Sequence, residues 1–169
     1  KRMYADANVS VSADSRILDN YTFDDIDKAS LDQYRRLFDL AKPGHAWLAL
    51  DDIPLLKKLG GYKVDRQTGK EGFTLAGLLM FGKTDAITDE TCAPNFFLDY
   101  REHYRKDTRW TDRICSGDAT WSGNIIDFFF KIIQPICAGI KVPFKISSDN
   151  VTRDDDTPIH RSVREVVAN

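Results

Sequence analysis

No two cysteines of this sequence stand in a pairing or metal-binding pattern. Cys92, Cys115 and Cys137 are odd in number and lie 23 and 22 residues apart, with no CxxC and no Cys/His zinc spacing. They read as three plain thiols of a reducing cytoplasm. Long apolar runs are missing too. The longest lie within residues 124–140 and are broken by Asp127, Lys131 and Gln134, which excludes a helical membrane span. An excess of one charge is also missing. The 24 Lys and Arg nearly balance the 26 Asp and Glu, leaving −2, which excludes a wholly basic nucleic-acid domain but allows a local basic patch. There is no P-loop, no GxGxxG and no nucleophile elbow, so no complete active site can be assembled and no cofactor is expected in these residues.

What is present suits one domain with a core. Apolar residues make up 42% of the 169 and charged residues 30%, a globular balance. The periodicities predict an α+β fold: a helical N-terminal part with a hairpin, then a small mixed sheet packed with helices. Residues 1–24 read as an extended arm leaving an upstream domain, and residues 25–169 as the α+β region proper.

In "YTFDDIDKASLDQYRRLFDLAK", Thr22 and Asp25 have capping-box-like spacing. Leu31, Tyr34, Leu37 and Phe38 make a helical stripe that stops at Lys42-Pro43-Gly44. "DDIPLLKKLGG" predicts a second helix, capped by Asp51 or Asp52, with Pro54 in its first turn and Gly60-Gly61 ending it. "YKVDRQTGKEGF" predicts a hairpin turning near Thr68-Gly69. "TLAGLLMFGK" predicts a short buried helix in which Ala76 and Gly77 allow close packing. Two helices followed by a hairpin give a winged-helix outline that lacks a basic recognition helix. Residues 83–94 read as a loop and "NFFLDY" as an aromatic strand. "GNIIDFFFKIIQPICAGI" is the strongest helix, with Ile125, Phe129, Ile132, Ile133 and Ile136 inward and Pro135 expected to kink or end it. "VPFKISS" reads as a strand. A last helix places Ile159, Val163, Val166 and Val167 on one face. It reaches Asn169 with no terminal cap and the chain starts at Lys1 without Met, as expected of a piece of a longer protein.

Four constellations could carry chemistry. Between Tyr100 and Arg113, Arg101, Arg105, Lys106, Arg109 and Arg113 alternate with Tyr100, Tyr104 and Trp110. Cations for phosphates beside rings for bases suit a nucleic-acid groove. Glu102, Asp107 and Asp112 reduce the local charge to +2, so a solvated connector with its own ion pairs is the other reading. Asp154, Asp155 and Asp156 either cap the last helix or offer oxygens to a divalent cation. His45, His103 and His160 stand alone and read as surface or capping histidines rather than ligands. Glu165 and Asn169, four residues apart, share the polar face of the last helix. A carboxylate that orients water and an amide that binds Mg²⁺ could serve phosphoryl chemistry; an exposed polar face is the alternative.

The order of these pieces carries a resemblance. "DDIPLLKKLGGYKVDRQTGKEGFTLAGLLMFGK" resembles the leucine-rich, then T-x-A-G-L-L-L-F-G-K segment of bacterial transcriptional regulators related to RecG ATP-dependent helicases. "SGNIIDFFFKII" is similar to that family's glycine-led helix, and "PIHRSVREVVAN" to its REALVNAL-HRDY motif, truncated after the Asn. Leu75 and Met80 replace the family's Asn and Leu. In that family a Schlafen-like, AlbA-type DNA-binding domain comes first and an ATPase domain similar to histidine kinases and gyrase comes last. The resemblance implies a central region that couples the two and ends inside the first ATPase helix. Glu165 would be the catalytic carboxylate and Asn169 the Mg-ATP ligand of the parent protein. No Walker or helicase motif is present, and the fragment itself is expected to be non-catalytic. The partners implied are DNA, through the parent, and a second copy of the chain, with no membrane.

Overall fold

In the computed structural model, residues 12–103, 110–140 and 158–168 are described. They fall into two compact units. One runs to Leu98 and includes Cys115–Ile126; the other holds Asp99–Ile114 and the residues from Asp127 onward. The fold is α+β, with six helices and two small two-stranded antiparallel sheets among the described residues.

The first unit is built around α1 (Lys28–Ala41), α2 (Asp52–Leu59), the hairpin β1 (Tyr62–Val64) with β2 (Glu71–Phe73), α3 (Leu75–Phe81) and α4 (Thr84–Ile87). The Thr22–Asp25 capping box forms, but on a 3-10 turn at Phe23–Asp25. Asp27 caps α1 instead, accepting the Ser30 amide at 2.9 Å. Asp51 precedes α2 without a side-chain cap. Asp52, inside the first turn, bonds Arg35 of α1 at 2.8 Å and also pairs with Lys28. Gly60 ends α2 in the left-handed conformation, at φ +81°, which a side chain would strain. The turn between β1 and β2 is organised by Asp65, which accepts from the Gln67 amide and the Thr68 hydroxyl, and Gly69 closes it at φ +73°.

Sheet pairing sets the register Tyr62–Phe73, Lys63–Gly72, Val64–Glu71. On the far side of β2, Leu18 donates to Phe73 O at 2.9 Å and Leu75 donates to Arg16 O at 3.0 Å. Arg16 and Leu18 are therefore tied into the sheet edge. Leu31, Leu55, Leu56 and Leu78 have no exposed surface, and Phe73 and Ile87 have 1%. Each such side chain contributes about 2 kcal/mol relative to exposure. Gly77 lies so close to Gly61 that a Cβ would stand 2.1 Å from the Gly61 carbonyl oxygen. The two small residues let α3 lie directly on the end of α2.

Two expectations need correction here. The segment after Lys83 is not a plain loop: it contains α4, whose Ala86 and Ile87 are buried. Its few residues hold too little periodicity to announce a helix. The aromatic run 95–100 is not a strand through its length; strand pairing starts only at Asp99. Ala93 donates to Ile87 O and Phe96 to Ala93 O, so the backbone turns there before it extends, and Phe97 is left 52% exposed.

The second unit contains β3 (Asp99–Glu102) paired with the Asp112–Ile114 part of β4 (Asp112–Cys115), most of α5 (Ile125–Ala138) and α6 (Pro158–Ala168). Pro135 does not end α5, which continues three residues beyond it. The missing proline N–H costs one ladder bond, but burial of Ile132 and Ile133 at 8% exposure favours the continuous helix. α6 forms as predicted, with Pro158 in its first turn. Its apolar stripe is only partly covered, with Val163 and Val167 half-buried. Val166 is 74% and Ile159 56% exposed, whereas His160 is buried. The expected "VPFKISS" strand and the Asp154–Asp156 cap lie outside the described residues.

Candidate functional site

Of the five cations expected to form a nucleic-acid groove, Arg101 and Arg113 come together on the β3–β4 hairpin, while Arg105, Lys106 and Arg109 lie outside the described residues. Both guanidiniums converge on one carboxylate. Arg113 donates to Asp99 from Nε at 2.8 Å and from Nη2 at 3.2 Å, a forked pair. Arg101 donates from Nε at 2.7 Å. The same two guanidinium carbons lie 5.7 Å and 5.2 Å from the centre of the Trp110 ring, cation–π range. The Arg113 bonds hold the Asp99 carboxyl below its ordinary range; partial burial opposes this and Arg101 reinforces it. The connector with its own ion pairs describes these two arginines. Asp99 compensates one of their two positive charges.

Glu165 lies on an exposed part of α6, and Asn169 lies outside the described residues. Glu165 is the only acid of α6, and no three His, Cys, Asp or Glu side chains among the described residues could hold a metal. Of the two residues implied for a Mg-ATP site of the parent protein, Glu165 alone falls within the described residues. α6 also borders a shallow apolar depression of about 500 Å³ lined by Ile136, Ile159, Val163 and Val166.

The first unit holds a larger cleft, of about 740 Å³, along Arg16, Ile17, Tyr21, Asp85, Asp89 and Thr91. The Tyr21 hydroxyl donates to Asp89 Oδ1 at 3.0 Å and shares a hydrogen bond with Thr91 Oγ1 at 2.8 Å. Burial pushes the Tyr21 phenol up, so it stays protonated at neutral pH. The Thr91 hydroxyl and amide, with Tyr21, hold Asp89 low, so it remains an anion. This group is internally satisfied and accepts no proton near neutrality.

The lone histidines differ in setting, and His160 is buried in α6. His45 Nδ1 accepts the Trp47 amide at 3.2 Å and caps a 3-10 turn, and His103 is exposed. Burial pushes the Cys92 thiol up and leaves it a weak nucleophile. No helix of the described residues is long and apolar enough to cross a membrane.

Sequence reasoning missed Asn124. Fully buried, it donates to Gly82 O at 3.0 Å and to Ser30 Oγ at 2.9 Å. It fastens the start of α5 to α1 and to the end of α3. Its Gly-Asn neighbourhood was the available signal: Gly123 takes φ +73° where a Cβ would meet the Thr84 hydroxyl at 2.5 Å. The segment carrying the family resemblance is equally structural. Thr74 accepts the Gly77 amide at 3.1 Å, capping α3, and donates to Gly60 O at 2.7 Å. Lys83 donates its amide to Asp25 O and its ammonium to Asp24 O.

This geometry defines a helical and hairpin core whose sequence signature is spent on packing and capping. Residues 1–99 match the family described as a domain of unknown function, DUF8451, and the chain belongs to that family. No curated protein and no solved structure matches the chain.

Proposed function

We propose that this chain is the central, coupling region of a cytoplasmic, DNA-associated transcriptional regulator of the RecG-related kind, linking a DNA-binding domain to an ATPase-like domain. The observation that carries this reading is the use made of Thr74–Lys83. Thr74 caps, Gly77 allows contact between α2 and α3, and Lys83 latches onto the turn at Asp24–Asp25. A segment built this way ties α2, α3 and the Asp24–Asp25 turn into one contiguous packed network, the kind of path through which a displacement at one end is carried to the other. Mg-ATP belongs to the ATPase-like domain, and DNA reaches the protein through the DNA-binding domain.

Coupling has a thermodynamic test. In the full-length protein, duplex DNA should change the affinity for a non-hydrolysable ATP analogue by about fivefold or more, and the analogue should change DNA affinity by the same factor. Independent affinities overturn the reading. A second reading rests on the resemblance of α6 to the family's REALVNAL-HRDY motif: the parent hydrolyses ATP with the Glu165 carboxylate, which is exposed on α6. Glu165→Ala in the full-length protein then abolishes turnover, and unchanged turnover removes that reading.

A further inference from the structure

The charge of the chain is unevenly spread. Between Lys57 and Lys70 the sequence places Lys57, Lys58, Lys63, Arg66 and Lys70 against a single acid, Asp65, in a chain whose net charge is −2. The fold gathers three of these cations on the β1–β2 hairpin. A groove of about 660 Å³ runs beside the hairpin, lined by Arg16, Lys63, Asp65, Arg66 and Lys70. Four cations face one carboxylate there, and that carboxylate is occupied. Asp65 accepts from the Gln67 amide at 2.9 Å and the Thr68 hydroxyl at 2.7 Å, which hold it in the turn.

The cations are available. Lys63 and Arg66 are exposed and take part in no ion pair among the described residues. Lys70 pairs with Asp19 at 2.7 Å, but both side chains are exposed, at 42% and 71%, so the pair is weak and exchangeable. The contrast with the β3–β4 hairpin is direct: there Arg101 and Arg113 share Asp99, whereas here Lys63 and Arg66 have no carboxylate within ion-pair distance among the described residues. Lysines on an edge strand also discourage strand addition. That role does not account for Arg66 in the turn or for Lys70 across the hairpin.

We propose that the β1–β2 hairpin is a contact surface for the phosphate backbone of duplex DNA, with Lys63, Arg66 and Lys70 each meeting a phosphate. Arg16 adds to the field while its guanidinium donates to Cys92 O at 3.3 Å. A short hairpin projecting cations without a basic helix beside it reads backbone rather than sequence. The proposal rests on the DNA-associated reading above and names a surface for it.

The test is a fluorescence-anisotropy titration of the full chain with a mixed-sequence duplex at several salt concentrations. Three phosphate contacts predict a log–log salt slope of about −2.7, a loss of about 40-fold in affinity between 50 and 200 mM salt. Lys63→Glu with Arg66→Glu should weaken binding by about tenfold or more and reduce the slope by about two. Arg36→Glu with Lys42→Glu makes the same change in net charge at exposed positions away from the hairpin and should cost far less. No binding at 50 mM salt, or equal losses for the two double variants, overturns the proposal. Equal losses would leave DNA association intact, whereas independence of DNA and nucleotide in the full-length protein would overturn coupling and leave the hairpin contact standing. Circular dichroism of both variants checks that neither loss comes from unfolding.

Discussion

The unit that contains α1–α4 and the unit that contains most of α5 with α6 handle apolar residues differently. In the first, Leu31, Leu55, Leu56 and Leu78 are wholly covered around a core, although Leu40 at its edge is 79% exposed; Asn124 is bonded to Ser30, and Thr74 to Gly60 O. In the second, the buried side chains described are Ile132, Ile133 and His160, while Ile159 and Val166 of an equally periodic helix stand in the open. Periodicity guarantees that a helix has an apolar side. It does not guarantee that the same side is covered, which depends on what the rest of the chain brings to it. The family match, residues 1–99, falls mainly on the first unit, the one with the wholly covered leucines.

Four measurements would sharpen or break this contrast, and the largest effect is expected at the closest backbone approach. Gly77→Ala puts a methyl where the Gly61 carbonyl stands, with no flexible side chain able to yield. A destabilisation of about 3 kcal/mol or more is expected by urea unfolding, from overpacking that cannot relax. A change near zero would mean that α2 and α3 are not in contact in solution.

Asn124→Ala comes next. It removes donors to Gly82 O and Ser30 Oγ from a site with no solvent access. About 2 kcal/mol should be lost, and Asn124→Asp should not restore it, because a carboxylate lacks the N–H groups. Restoration by Asp would show that the amide is not the donor.

A smaller effect concerns acid. Partial burial pushes the Asp52 carboxyl up, but the hydrogen bonds from Arg35 and Lys28 outweigh it and leave the folded value lowered. A lowered folded value means stability that is fully present above the ordinary carboxylate range and lost as pH falls through the folded value. Asp52→Asn should cost at most about 1 kcal/mol at pH 7 and flatten the decline in urea midpoint below about pH 4. A parallel decline in the variant would assign acid sensitivity elsewhere.

The smallest effect should be at the open face. Val166→Ser is expected to change stability by less than about 0.5 kcal/mol, as for an exposed side chain. A loss near 2 kcal/mol would show that this face is covered in solution and would erase the difference between the two units.

Legibility followed the range of the forces. The second helix, its stop at Gly60, the turn near Gly69 and the short helix after Thr74 were all readable, because caps, positive-φ turns and periodicity act within a few residues. The four residues of α4 were unreadable for lack of a period, and the strand expected from residue 95 failed because aromatic content reports packing as well as pairing. Of the candidate site residues, Arg101 and Arg113 could be suspected of having ion pairs, but their common use of Asp99 required the hairpin to bring residues 14 apart together. The basic groove on the other hairpin went unnoticed, since Arg16 is distant in sequence from Lys63 and Arg66.

By itself, then, the order of residues determined where α2 and α3 lie, where the β1–β2 hairpin turns and that the chain mixes helices with small sheets. Tertiary structure alone decided that Gly77 must lie on Gly61, that Asn124 reaches Ser30 across 94 residues, and which cations keep their charge free for a partner. The reason is distance along the chain. Local geometry is set by bonds between near neighbours, whereas contact between remote segments depends on how every element packs at once.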